Sequence, residues 1–144
     1  MTKTLFLAAV AVLLTAAAHA QKLKPAAVPA AAVAAFKAKF PTVKTNTWEK
    51  EDGKFEAGFR MNGTTMSAVI TPAGELLETE TDIAPAQLPA AVRASLARDY
   101  KAYKVTEAAT LVAADGKTTY EAEISKGGHR HDVVFNADGS LVKK

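Results

Sequence analysis

Apolar and polar residues alternate in two stretches of this chain. Phe55, Ala57, Phe59 and Met61 are interleaved with Glu56, Gly58 and Arg60, and Tyr120, Ala122 and Ile124 with Glu121 and Glu123. A period of two sends successive side chains to opposite faces, so each stretch predicts a strand with one apolar and one polar side. Asp52-Gly53 precedes the first stretch and Asp115-Gly116 the second; Asn62-Gly63 and Gly127-Gly128 follow them. Later turns at Gly74 and Gly139 lead to Leu76 and Leu141. Such turns between alternating runs predict antiparallel hairpins. Phe55 and Tyr120 stand 65 positions apart, and the offset holds through to the last turn.

Upstream of each run the period changes. Ala32, Val33, Phe36 and Phe40 recur at helical spacing after Val28-Pro29, and Leu88, Val92, Leu96 and Tyr100 do so around Leu88-Pro89, 60 positions later. Proline suits the first turn of a helix, where its missing N–H has no partner to lose. Pro41 ends the first helix, because the residue before a proline is pushed out of the helical region; Lys101 in its place makes the second end less sharp. Thr45 to Glu51, with Trp48 as core plug or exposed anchor, predicts a first strand. Met66, Ala68 and Ile70 predict a third, with Thr65, Ser67 and Val69 on its other side, and Leu76 to Thr81 a fourth. Lys104 to Ala113 fills the first-strand position of the second copy and is longer, which absorbs the change of offset. A ten-residue helix is marginal alone and a lone meander exposes an apolar face, so each needs the other.

The predicted fold class is therefore α+β: a tandem duplication of a helix followed by a four-stranded antiparallel meander, with helices on one face of the sheets. Its divisions are a flexible lead at 21–27, a first repeat at 28–81, a linker at 82–87 and a second repeat at 88–144.

Composition adds a location. Lys3, the apolar run from Leu5 to Ala18 and the small-x-small site Ala18-His-Ala20 have the layout of a secretory signal peptide over residues 1–20. The apolar run is shorter than the ~20 residues that span a bilayer, so no stable membrane insertion is expected after cleavage. A periplasmic or secreted protein follows. The chain has no cysteine, which removes disulfides, thiolate chemistry and a lipidated N-terminal cysteine, so the core must stabilise itself. The net charge of +3 is spread along the chain; without a basic stripe nucleic-acid binding is not expected.

The series Val28-Pro29, Phe36, Phe40-Pro41, Trp48, Asp52-Gly53, Phe55-Glu-Ala, Gly63, Gly74-x-Leu76 resembles the PepSY-like, beta-lactamase-inhibitor-like family of exported bacterial proteins. Leu88-Pro89, Leu96, Tyr100, Asp115-Gly116, Tyr120-Glu-Ala-Glu, Gly128, Phe135 and Gly139-x-Leu141 resemble it a second time. The resemblance covers nearly all of the chain after the leader. It implies paired helix-plus-sheet repeats whose exposed sheet faces are open to a protein partner.

The polar sides of the strands supply the candidate binding residues Glu56, Arg60, Glu121, Glu123, Arg130 and Asp132, a mixed-charge surface suited to electrostatic selection of a partner. Glu78-x-Glu80-x-Asp82 lines three carboxylates along one strand side, either as solvated charges protecting the strand or as an attraction for Ca²⁺ or a basic partner. His129-x-His131 offers two imidazoles on one side of a strand, with no third and fourth ligand apparent. Asn136 to Ser140 reads as a turn. Ser67, Ser95, Ser125 and Ser140 lack a nucleophile-elbow context, and there is no phosphate-binding glycine loop. The expected function is an exported, non-enzymatic binding module without a cofactor, acting on another extracytoplasmic protein through the exposed sheet faces; an inhibitor or modulator of an exported hydrolase is its specific form. The alternative is a small-ligand or metal-binding protein using a cleft between the repeats and His129/His131.

Overall fold

The computed structural model describes residues 21–143; the expected signal peptide lies outside them. Two helices form where prolines start them. A 3-10 turn at Pro25–Ala27 leads through Val28 to Pro29, whose carbonyl accepts the Val33 N–H at 3.1 Å, and α1 runs Ala30–Lys39. Pro85–Gln87 and Pro89 repeat this arrangement before α2, Ala90–Asp99. In both, the last N–H, of Phe40 or Tyr100, closes onto the carbonyl four residues back. Alanine-rich interiors give the backbone little reason to leave the helix.

Eight strands follow one another in chain order and in space: β1 Gln21–Leu23, β2 Asn46–Glu51, β3 Lys54–Met61, β4 Thr64–Ile70, β5 Leu76–Ile83, β6 Lys104–Ala113, β7 Thr118–Lys126 and β8 His129–Phe135. Every neighbouring pair is antiparallel. At Asp52-Gly53 both residues have positive φ (48° and 75°), as a two-residue turn matched to strand twist requires.

This single sheet corrects the expected fold class. Two helix-plus-four-strand repeats with a sheet each are not what forms. β5 pairs directly with β6, from Glu78 opposite Ala113 to Ile83 opposite Ala108. Separate sheets would leave the backbone N–H and C=O groups of both strands open at an edge, and pairing them removes that edge. The halves also differ in strand number. Leu141 makes only an isolated bridge to Phe135, so the second half supplies three strands. The 21–27 lead, expected to be mobile, puts Gln21–Leu23 against Lys50–Trp48 as an edge strand. The stretch 82–87, expected as the linker, holds the end of β5 and the 3-10 turn Pro85–Gln87.

Facing residues of an antiparallel pair share a side, so the register defines two faces across all eight strands. Phe55, Ala57 and Phe59, then Ala68 and Ile70, and later Ala122, Ile124, Val133 and Phe135 lie on the side that both helices cover. Under α1, Phe36 packs its ring 5.3 Å from Phe40, 5.6 Å from Trp48 and 5.2 Å from Phe59. Trp48 is a core residue. Under α2 the core is Val92, Leu96, Ala122, Ile124, Val133 and Phe135.

The turn after β8 is clamped to α2. A Cβ at Gly139 (φ +82°) would lie 2.5 Å from the Ala91 carbonyl oxygen, and the buried Ser95 hydroxyl donates to the Gly139 carbonyl at 2.8 Å. Gly74 approaches Ala31 on α1 in the same way. Ser95→Ala leaves that buried acceptor without its donor, so a loss of about 1–2 kcal/mol in urea unfolding is expected. An unchanged midpoint would mean that solvent replaces the bond.

Candidate binding face

The side of the sheet away from the helices carries the even-numbered positions of β3, β5 and β8, the odd-numbered positions of β4 and β7, and the odd-numbered positions of β6 from Glu107 onward. Glu56 faces Val69, which faces Glu78. Gly58, Ser67, Glu80, Leu111 and Thr119 form the next row. Asp82, Ala109, Glu121 and Val134 form another, and Glu107, Glu123 and Asp132 a fourth. The β5–β6 junction thus sets the carboxylates of β5 beside those of β7 and β8, with only Ala109 and Leu111 between.

Those two apolar residues are 4% and 6% exposed although neither helix covers them. Ala109, with Ala108 beside it, floors a trough of about 190 Å³ walled by Glu80, Asp82, Glu107, Glu121, Glu123 and Asp132. Burial pushes the Glu80 carboxyl up to about 7, and Glu56, Asp82, Glu78 and Asp132 add like-charge repulsion. Glu121 is likewise pushed up to about 7, first by burial and then by Asp132, Glu80, Glu78 and Glu56. Burial also raises Glu78, with Lys54 opposing it. A carboxylate with little water and several negative neighbours holds its proton more tightly.

The six residues picked from the sequence all lie on this open face, but the structure gathers only some of them. Glu121, Glu123 and Asp132 line the trough, and Arg130 pairs with Glu123 at 3.1 Å. The Glu123 carboxylate also accepts from the Thr106 hydroxyl, at the irregularity between Val105 and Glu107 where β6 carries one extra residue. Glu56 lines a neighbouring hollow with Lys54, Val69 and Glu78. Arg60 lies apart, donating to the Gly63 carbonyl at 2.5 Å and the Thr65 hydroxyl at 3.1 Å beside its own hairpin. Glu80, Asp82 and Glu107 were not among the six. The i, i+2 spacing of Glu78, Glu80 and Asp82 was visible; that β7 and β8 would face them was not, because two separate sheets were expected.

Ser67 is the other residue missed. It lies between Gly58 and Glu80 on the open face, 9% exposed, and its hydroxyl has no hydrogen-bond partner among the described residues. His129 and His131 project on the helix side, opposite Lys126 and Ile124. His131 meets the Tyr103 ring edge-on at 5.4 Å. Among the described residues no group of three or more His, Cys, Asp or Glu is arranged to hold a metal ion. A separate apolar hollow of about 420 Å³ lies beside α2, between Leu88, Leu96, Tyr100 and Tyr103, with Arg93 and Lys101 at its margin.

Solved structures share this architecture. A Bacteroides eggerthii protein provisionally described as periplasmic aligns with a TM-score of 0.71 at 21% identity, over 81% of this chain and 86% of its own. A DUF2874 family protein of Bacteroides uniformis aligns at 0.70 and 20%, over 81% and 87%. A BLIP-like protein of Bacteroides fragilis aligns at 0.62 and 22%, over 78% and 82%. No family model matches the chain, and no curated protein does. The chain has a BLIP-like fold.

Proposed function

We propose that this protein is an exported, non-enzymatic module of the PepSY-like, beta-lactamase-inhibitor-like kind, and that it binds another extracytoplasmic protein through the open face of its sheet. Modulation of an exported hydrolase is the specific form of that reading. The observation that carries it is one sheet face, eight strands wide, that both helices leave uncovered. A rigid surface of this breadth matches what a protein–protein interface needs, about 800 Å² per partner. Its charges are patterned, which favours one partner over others. The signal peptide expected at 1–20 and the provisional periplasmic description of a structural neighbour support an extracytoplasmic setting. Among the described residues no helix is long and apolar enough to cross a membrane.

The test is affinity capture from native envelope extract with the intact mature chain and with the variant Glu121→Lys/Glu123→Lys/Arg60→Glu. At least a tenfold loss of one reproducibly captured protein is expected, with the melting temperature changed by no more than about 4 °C, the scale of ~1 kcal/mol in a domain of this size. Equal capture by both proteins would refute the proposal.

A further inference from the structure

The apolar hollow beside α2 lies on the helix side of the sheet, and the first half of the chain shows how such a space can be closed. There Phe36 meets the rings of Phe40, Trp48 and Phe59 at 5.2–5.6 Å, and Phe40 lies 4.5 Å from Phe59. An offset of 60 puts Leu96 and Tyr100 in the places of Phe36 and Phe40, and one of 65 puts Ile124 in that of Phe59. Ala108 faces Ala122 as Trp48 faces Ala57. At these four places the second half thus carries one ring where the first has four. Between α2 and the start of β6 it keeps a hollow of about 420 Å³, lined by Leu88, Leu96, Tyr100, Tyr103 and Val105. Small-molecule sites run from about 300 to 1,000 Å³.

The margin of this hollow is cationic. Arg93, Ala97 and Lys101 follow at intervals of four along α2 and just past its end, forming one lip. No aspartate or glutamate lines the hollow, and neither cation forms an ion pair among the described residues. The Arg93 Nε–H donates to the Leu88 carbonyl at 3.1 Å, which holds the guanidinium at the rim with further N–H groups to offer. Tyr103 is held as well. It meets Tyr100 edge-on at 6.0 Å and His131 at 5.4 Å, and the Lys126 ammonium lies 5.5 Å from its ring centre. A wall fixed beforehand loses little freedom when a ligand arrives.

We propose that this hollow binds a single-chain carboxylate of the fatty-acid class, its alkyl tail against Leu88, Leu96 and the two tyrosine rings and its anionic head at the Arg93–Lys101 lip. The apolar lining selects the tail, and the unbalanced positive charge selects the head. A guanidinium takes a carboxylate with two parallel N–H donors, whereas a cationic amphiphile meets like charge at the same lip. The site is separate from the open face and does not depend on a protein partner there.

The experiment titrates the intact mature chain by calorimetry at pH 7.5 with sodium hexanoate, sodium octanoate and octyltrimethylammonium chloride, and follows amide chemical shifts in the same solutions. Octanoate is expected to bind at least fivefold tighter than hexanoate, because it buries two more methylenes, and at least fivefold tighter than the octyl cation. Its largest shifts are expected at Ala97, Tyr100, Tyr103 and Val105. Ala97→Phe fills the hollow from its exposed lip and is expected to weaken octanoate at least tenfold. Arg93→Glu/Lys101→Glu is expected to abolish the preference for the anion and to keep that for the longer chain. Lys22→Glu/Lys37→Glu, the same charge change away from the hollow, is expected to leave both preferences intact. The wild-type shifts and the charge-reversed pair decide the matter should Ala97→Phe not fold. No saturable binding of octanoate, equal binding of the octyl cation, or shifts centred on the open face at Ala109 and Leu111 would each overturn the proposal. Equal loss of the anion preference in both double variants would show charge attraction without a site and overturn it too.

Discussion

Raising the pH from 4.5 to 7.5 is expected to lower folding stability by roughly 2–3 kcal/mol through Glu80 and Glu121, a figure reached by discounting the two shifts for solvent screening. In the folded chain each of these carboxyls is pushed from 4.5 up to about 7. Between those values the folded state holds more protons than the unfolded one, so stability is greatest below pH 4.5 and falls as pH rises through 7. Both side chains are half-buried, so water screens part of the repulsion. Glu78, also raised, adds to the same trend. Asp99 and Asp138 are lowered by their hydrogen bonds to Arg98 and Ser140, and their stabilising contributions are lost only as pH falls below the usual carboxylate range, outside this window. Urea unfolding at half-unit steps of pH measures the slope. Glu80→Gln/Glu121→Gln is expected to flatten it and to be the more stable protein at pH 7.5. A wild-type curve flat across the window would show that the trough is fully hydrated.

The larger expected loss belongs to Phe36. Its ring is 2% exposed and meets Phe40, Trp48 and Phe59, and it joins α1 to β2 and β3. Phe36→Ala removes the side chain and leaves a cavity that the stiff sheet beneath cannot close, a cost of about 3–5 kcal/mol. Trp48, the sole tryptophan, reports the transition by fluorescence. Because β5 and β6 pair along the middle of one sheet, the amides of β7 are expected to lose hydrogen-exchange protection together with those of β3. Loss of protection confined to the first half would mean that the halves unfold separately. A change below about 1 kcal/mol would show that the site is not the packed core described here.

The elements on either side of Phe36 were legible early. Alternation in Phe55, Ala57 and Phe59 and in Tyr120, Ala122 and Ile124 placed the helix-side face, and Asp52-Gly53 placed a hairpin, because side-chain direction and turn geometry are local properties. The paired edges were not legible. Nothing about Glu78 to Ile83 or Ala108 to Ala113, taken separately, states that these strands pair, and the repeated pattern argued for two closed units. Gln21–Leu23 was missed for a related reason: three residues with no alternation become a strand only because β2 offers them an edge. Glu78 and Glu80 were read either as solvated charges or as an attraction for a cation, since their pressure on Glu121 arises only when β6 alone separates β5 from β7.

From its residues alone, this protein is a chain of hairpins and two proline-led helices that must bury one side of each strand and leave the other wet, because period and turn chemistry act over a few positions. Folding in three dimensions decided that the strands make one sheet, and that Glu80, Asp82 and Glu121 gather over Ala109. The physical reason is range. Backbone hydrogen bonding between β5 and β6 joins residues 25 to 35 positions apart, and the crowding of Glu121 by Glu80 joins residues some forty apart; neither leaves a mark on the local pattern.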